Sequence, residues 1–275
     1  MTYEASETSA LDGTPVEFYK FTIQGRVYSY TTHSESVFLA GHGNFDPGNL
    51  KRSNVIQSSS IYKDNITFTS SLGLTLLELF KGRSLPSVMT VEVLSAHEAD
   101  SFSEVLTLWG GRVVGVTFKG HVASIRCESL ATSRKRSGSR RKYSIMCPHF
   151  MFGTSCGVVK ADFSHNTSVI TKDSKSITVG SVFVAATVDE YYAGGYIEYT
   201  DSFNLVRRVS ITSSTAATKT LDLVSHPTDL VVGDNIVIIP GCAHTFNECH
   251  DKFSNAENFG GWPYFPQDNV FVRGY

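Results

Sequence analysis

Three observations predict a mainly β protein. Short runs such as "PVEFYKFTIQG" and "RVYSYTTHS" alternate apolar and polar residues, the period of a half-buried strand. The chain is rich in Phe (18) and Tyr (12), residues that suit pleated, half-buried surfaces, while helical periodicity is scarce. Gly, Asn and Asp turn signals recur at the spacing of an all-β barrel or sandwich. At 275 residues there is room for two modest domains, or for one large β domain with an insertion. A net charge of −2 excludes a molecule that binds nucleic acid by its overall field. No apolar run approaches the 18 or so residues of a membrane-spanning helix.

Taken in order, residues 1–15 are polar and read as a loose lead-in. Gly25, between the first two alternating runs, predicts a hairpin. "AGHGNFDPGNLKRS" reads as loop from its Gly, Asn and Pro content, and "NVIQSSSIYKDNITFTSS" returns to strand. The best helix is Leu72 to Phe80, capped by Ser70 or Ser71 and stopped by Gly82, with a Leu stripe that reads as core. "MTVEVLSA", "EVLTLWGGRVVGVTFKG" and "HVASIRCES" predict strands separated by Gly-Gly and Gly turns. Cys127, in the last of them, reads as an inward core residue. After Cys156 the segments "GVVKADFS", "HNTSVITKDSKSITV", "GSVFVAATVD", "YIEYTDSFNLVRRVSITSS", "TKTLDLVSH" and "GDNIVIIPG" read as successive short strands of a second barrel or sandwich. The sequons at Asn65 and Asn166 are coincidental.

Four late cysteines carry the functional reading. Cys147 and Cys156 form a C-x8-C pair, and Cys242 and Cys249 a C-x6-C pair, each among Gly, Pro and aromatic residues. The β-rich segment 157–241 separates the pairs, so only the fold can join them. Structural zinc favours a tight C-x2-4-C knuckle, which neither pair has. Disulfides suit a secreted chain, but "MTYEASETSALDG" does not read as a signal peptide and five cysteines is an odd number, so a reducing cytosol at synthesis is expected. A cubane iron–sulfur cluster tolerates irregular spacing. Small buried hydrophobes are the fourth reading. The residues alone leave these four open.

Two motifs separate them. "RRKYSIMCPHFMFGTSCGV" and "PGCAHTFNECHDKFSNAENFGGWPYFPQDN", the latter with the pattern K-F-x-N-x-x-N-F-x-G-x-P after its second cysteine, resemble the tail-tip or baseplate-hub family of long-tailed phages. That family includes the lambdoid tail-tip protein L and the hub protein of gene transfer agents. The resemblance covers residues 140–157 and 240–269 closely and 15–130 only in general pattern. It implies a [4Fe-4S] cluster on Cys147, Cys156, Cys242 and Cys249, which would staple the base of the insert and make metal binding part of the folding energy. It also implies a tail-tube-like β-barrel hub domain at 1–132, a basic linker with the first pair at 133–158, an inserted β-barrel or sandwich at 159–241, and the second pair with an aromatic tail at 242–275. Further implications are a homotrimeric ring at the tail tip of a virion, made in the bacterial host cytoplasm. Its partners would be the distal-tail, tape-measure and central-fibre proteins, with DNA passing through the channel.

Other features are weighed against that expectation. The basic run 133–142, with Arg134, Lys135, Arg136, Arg140, Arg141 and Lys142, reads as a linker or protein contact ahead of a DNA contact, because no aromatic residue is interleaved in it. Arg140 and Arg141 are expected to pack against the anionic cluster. The aromatic tail with Phe259, Trp262, Tyr264 and Phe265, stiffened by Pro263 and Pro266, is expected to pack over the cysteines and shield them. The alternative class is a zinc or iron–sulfur redox or thiol enzyme outside any virion. His149, His244, Glu248, His250 and Asp251 lie near the thiols, and His244 and His250 are the zinc ligands that version would use. No nucleophile elbow or H-E-x-x-H helix accompanies them, so the expectation is no enzyme.

Overall fold

The computed structural model describes residues 3–8, 13–55, 64–81, 85–135, 143–180 and 188–264. The chain divides into two compact units, Met1–Ser137 and Gly138–Tyr275.

In the first unit the lead-in forms a short helix α1 (Tyr3–Thr8), from which Glu7 bonds the buried ring of His97 at 2.9 Å. Strands β1 (Pro15–Ile23) and β2 (Arg26–Thr31) make the expected hairpin. Both turn residues, Gln24 and Gly25, have positive φ (47° and 80°), the handedness that matches strand twist in a two-residue hairpin. The stretch read as loop instead holds β4 (Gly43–Pro47) and β5 (Leu50–Arg52), following β3 (Val37–Leu39). Loop-type residues are tolerated here because these are short strands at or near the sheet margins, where few ladder donors are needed.

The expected helix is a 3-10 turn over Thr75–Phe80 with Leu76, Leu77 and Leu79 buried. Ser70 and Ser71 do not cap it, because they finish strand β6 (Ile66–Ser71). The Tyr30 hydroxyl does so instead, accepting from the Leu76 N–H at 3.1 Å and sharing a 2.9 Å bond with Thr75. Gly82, the expected stop, lies outside the described residues. Strands β7 (Thr90–His97), β8 (Leu106–Lys119) and β9 (Val122–Ser129) follow. Gly110-Gly111 is not a turn. It lies inside β8, where a Cβ on Gly111 would stand 2.1 Å from the Trp109 ring and 2.4 Å from the Glu128 carbonyl oxygen. Close approach, not reversal, requires that glycine.

Among the described residues of this unit, nine strands form one sheet in the order β3-β4-β2-β1-β7-β8-β9-β6-β5. The barrel expected here is therefore a sheet with the three-residue strands β3 and β5 at its margins. Both of its faces carry core. Val16 and Phe18 join Val37, Leu39, Phe45, Leu94 and Ala96 on one side. Tyr19 and Phe21, of opposite parity in β1, meet the Phe68 ring at 5.2 and 5.5 Å. Cys127 is buried in β9 as expected, and burial pushes its thiol up to about 12.

The second unit contains a closed barrel, β10-β11-β14-β13-β12-β15. Its strands are β10 (His165–Lys172), β11 (Ser176–Val179), β12 (Tyr196–Thr200), β13 (Val206–Thr215), β14 (Thr220–Leu223) and β15 (Asn235–Ile239). Inward residues at alternate positions, among them Val169, Ile177, Ile197, Ile211, Leu221 and Ile238, fill it. "GVVKADFS" is not a strand: it contains a 3-10 turn at Lys160–Phe163. Most of "GSVFVAATVD" lies outside the described residues. Among those described, no helix is long and apolar enough to cross a membrane.

The β12–β13 turn is held by one buried carboxylate. One Asp201 oxygen accepts the N–H groups of Phe203 and Leu205 at 2.9 Å each, and the other accepts Arg207 Nε at 2.7 Å, with Asp229 at 3.6 Å on the same Nε. Removing one member of such a buried set strands the others. Asp201→Ala is expected to cost about 3–5 kcal/mol in urea unfolding followed by far-UV circular dichroism. A loss under about 1 kcal/mol would mean that the turn holds without it.

Candidate functional site

The cysteine-bearing segment leaves the barrel at β15. Pro240 and Gly241 run directly against the turn at residues 193–195. A Cβ on Gly241 would lie 2.4 Å from the Ala193 carbonyl oxygen, and one on Gly195 would lie 2.1 Å from that of Ile239. Only glycines allow the two backbones to touch in this way. After Cys242, helix α2 (Phe246–Asp251) starts at Thr245, whose side chain accepts the Glu248 N–H. Glu248 reaches back to accept the Ala243 N–H, a variant of the capping box.

One ammonium then fastens this segment to the barrel. Lys252 Nζ donates to the carbonyl oxygens of Tyr191 at 2.7 Å and Gly241 at 2.8 Å, and to Glu248 Oε1 at 3.0 Å. It also lies 4.7 Å from the Tyr191 ring centre and 5.3 Å from that of Phe253. Three donors meet three acceptors, so the nearly buried charge is satisfied.

Two asparagines and a backbone bond bring in the first pair. The Cys147 N–H donates to the His244 carbonyl at 2.8 Å. Asn255 donates to the Cys156 carbonyl at 2.6 Å and accepts from Asn258 at 2.7 Å. His149 Nδ1 bonds the Asn258 carbonyl at 3.1 Å, and its ring occupies the space a Cβ on Gly260 would need. The Trp262 N–H reaches the Ser144 carbonyl at 2.9 Å. A Cβ on Gly261 would lie 2.5 Å from the Ile145 carbonyl oxygen. Lys252, Asn255, Asn258 and Gly261 all belong to the motif that follows Cys249, and each has a structural task in this junction.

The fold thus brings Cys147, Cys156, Cys242 and Cys249 to the wall of one cavity of about 20 Å³, with Val158, Phe253 and Asn255 among its other residues. All four are free thiols. The Cys249 thiol donates to the Asn255 carbonyl at 3.2 Å. The Cys242 sulfur accepts the His244 N–H at 3.3 Å, and Cys147 accepts that of Gly260 at 3.4 Å. Burial pushes the Cys242 and Cys249 thiols up, and the neighbouring sulfurs push the same way, so both hold their protons at neutral pH.

The [4Fe-4S] cluster implied for these cysteines is overturned. Among the described residues no group of three or more His, Cys, Asp or Glu side chains is arranged to hold a metal ion. The Cys249 thiol also donates to the Asn255 carbonyl. The same finding removes the zinc version. His244 borders the cavity, but His250 is exposed and bonds Asp251 at 2.7 Å. A raised Cys242 thiol is also the opposite of an activated nucleophile.

Among the described residues of the aromatic tail, none walls the thiol cavity. Phe259 packs on Phe246 at 5.3 Å, Trp262 is half exposed beside Tyr143, Tyr264 is 91% exposed, and Phe253 is the aromatic residue that walls the cavity. Phe265 and Pro266 lie outside the described residues, as do Arg136, Arg140, Arg141 and Lys142 and the side chains of Arg134 and Lys135. The expected packing of Arg140 and Arg141 therefore falls outside them too.

Comparison with known proteins bears on this junction. Residues 190–269 match a family described as phage conserved hypothetical protein BR0599. The match spans β12 to β15 and the second cysteine pair, and leaves out the first. A 73-residue stretch is 37% identical to an uncharacterized protein of Xylella fastidiosa (strain 9a5c), covering 26% of this chain and 15% of that one. The chain thus spans only a small part of that relative's length. Across 100% of its length, the chain shares its fold with 95% of a chain from the virion of a native gene transfer agent particle, at TM-score 0.81 and 20% identity.

Two outcomes test the junction. Lys252→Met, which leaves three acceptors unmatched, is expected to cost roughly 3 kcal/mol in urea unfolding, and Glu248→Gln is expected to add little on top of it. Full additivity of the two would contradict a shared network. The second outcome concerns pH. Because the folded thiols of Cys242 and Cys249 titrate above their unfolded values, their contribution is complete below about pH 8.5 and is lost as pH rises through the folded values. Stability is expected to fall as pH rises above about 8.5 and to fall less in Cys249→Ala. An unchanged slope in that variant would contradict the assignment.

Proposed function

We propose that the chain is a structural subunit of a phage-type particle, placed at the tail tip as a hub that joins the tail tube to distal components. The observation that carries this is the fold likeness along the whole chain to a chain of a gene transfer agent virion. The phage-family match over residues 190–269 supports it independently.

In this reading residues 1–132 form the hub domain, 133–158 a basic linker with the first pair, 159–241 the inserted β domain, and 242–275 the second pair and tail. The subunit assembles as a homotrimer with distal-tail, tape-measure and central-fibre proteins, and DNA passes through the channel. The cysteine junction is a structural fastening, not a reaction centre. It anchors the segment after the barrel through Lys252, Asn255 and Asn258. A part that carries load needs its terminal segment fixed to a rigid element, and a closed barrel without free edges is such an element.

The test is electron microscopy of assembled particles with antibody against this chain, together with light scattering of the purified protein. Label confined to one tip and a threefold mass are expected. Label absent from particles would overturn the reading, and so would a monomer that does not associate with the tail components.

A further inference from the structure

The second unit holds a larger space beside the thiol cavity, sharing Met151, Cys242 and His244 with it. It is an open recess of about 230 Å³ lined by Phe150, Phe152, Tyr196 and Pro240. Phe150 is 85% exposed, so one of these rings is left to solvent. Phe152 and His244 hold positive φ (61° and 62°), a conformation that bulky L residues rarely adopt and that gathers at ligand sites. A Cβ on Gly194, which also lines the recess, would meet no atom within 4 Å, so the neighbouring side chains leave the space open.

The Tyr196 ring links the recess to a charged set on the barrel. Lys160 Nζ lies 5.6 Å and Arg208 Cζ 5.7 Å from its centre. Both cations bond Glu198, at 2.7 and 2.6 Å. Two cations share one carboxylate, so the set keeps a positive charge, and Arg208, with 62% of its side chain exposed, presents that charge to solvent. Its guanidinium has several donors, more than the bond to Glu198 uses. A volume of about 150 Å³ is enough for a benzene ring, whereas a drug-sized molecule needs about 300 Å³ or more. The recess therefore seats one aromatic side chain.

We propose that the recess is a docking pocket for an extended segment of a partner protein, which inserts one aromatic side chain and sets a neighbouring carboxylate against Arg208. The inserted ring meets Phe150, Phe152 and Tyr196, and aromatic pairs favour the edge-to-face and offset contacts that such walls allow. Met151 adds a polarizable thioether to them. A free aromatic acid would leave the open side of the recess uncovered. A segment runs on past it, over exposed Phe150, and gains contact that a free molecule cannot. The carboxylate supplies charge complementarity, which governs the choice of segment more than its affinity. The pocket is built from the first cysteine loop, the turn at residues 193–195 and the barrel exit, so the junction that Lys252 fastens also shapes it. This inference stands on the recess and its charge and does not depend on the hub reading.

The experiment titrates the full chain into the peptide acetyl-Glu-Gly-Phe-Gly-Glu-amide, its phenylalanine carrying a para-fluoro group, and follows the fluorine NMR line. A saturable shift or broadening is expected, and binding should weaken as salt rises. The same peptide with alanine for phenylalanine should not compete. Replacing both glutamates by glutamine should weaken binding about threefold. Phe150→Ala should weaken it about fivefold and leave the circular dichroism spectrum and unfolding midpoint unchanged, because that side chain is exposed. Arg208→Ala should bind the glutamate and glutamine peptides equally. Where Arg208→Ala fails to fold, the wild-type protein serves instead: its preference for the glutamate peptide should vanish at high salt. No saturable change in the fluorine line, undiminished binding by Phe150→Ala, or equal binding of the two peptides by the wild type would overturn the proposal. Binding of para-fluorophenylacetate as tight as that of the peptide would overturn the choice of a protein segment.

Discussion

The C-terminal half of the molecule depends on how one ammonium group is satisfied. Lys252 is nearly buried, and a buried charge without partners costs several kcal/mol. Its three acceptors come from the barrel turn at Tyr191, the barrel exit at Gly241 and the helix that carries Cys249. The charge can be satisfied only when those elements are already together, so the bonds act as a condition on the fold and not merely as an addition to it. The Gly195–Gly241 contact brings the backbones close enough, and the aromatic faces of Tyr191 and Phe253 hold the stem and head in place. Asn255 and Asn258 then extend the same network to the first cysteine loop.

This arrangement changes what the cysteines are for. Four thiols gathered from separate loops are the usual preparation for a metal, and that reading followed from the motifs. The folded chain instead gathers the thiols around one small cavity, with no group arranged to hold a metal among the described residues and the Cys249 thiol donating to a carbonyl. Metal ligation and thiol packing ask for similar residues in a sequence. They differ in the direction each sulfur faces, which only the packed structure decides.

Much of the fold was legible because strands carry a short period. The β1–β2 hairpin, the strands β7 and β9 and the barrel strands all follow from alternation and turn residues. What was missed has physical causes. Gly110-Gly111 looked like a turn because no local rule reveals that the Trp109 ring will lie over it. The short strands β4 and β5 were hidden by residues that usually break strands but are tolerated near a sheet margin. Ser70 looked like a helix cap, but the long-range Tyr30 hydroxyl took that role. At the site, the convergence of the four cysteines was legible from their pairing. The role of Lys252 was not, although a lysine between an acidic helix and a phenylalanine in a fixed motif was the available signal.

The most direct test is hydrogen exchange, read by mass spectrometry, over residues 241–259 after exhaustive chelation. The account predicts strong protection in the chelated wild-type protein and its loss in Lys252→Met, because the segment is held by that ammonium and its acceptors. Protection that disappears on chelation and survives in Lys252→Met would contradict it, and would return the cysteines to a metal.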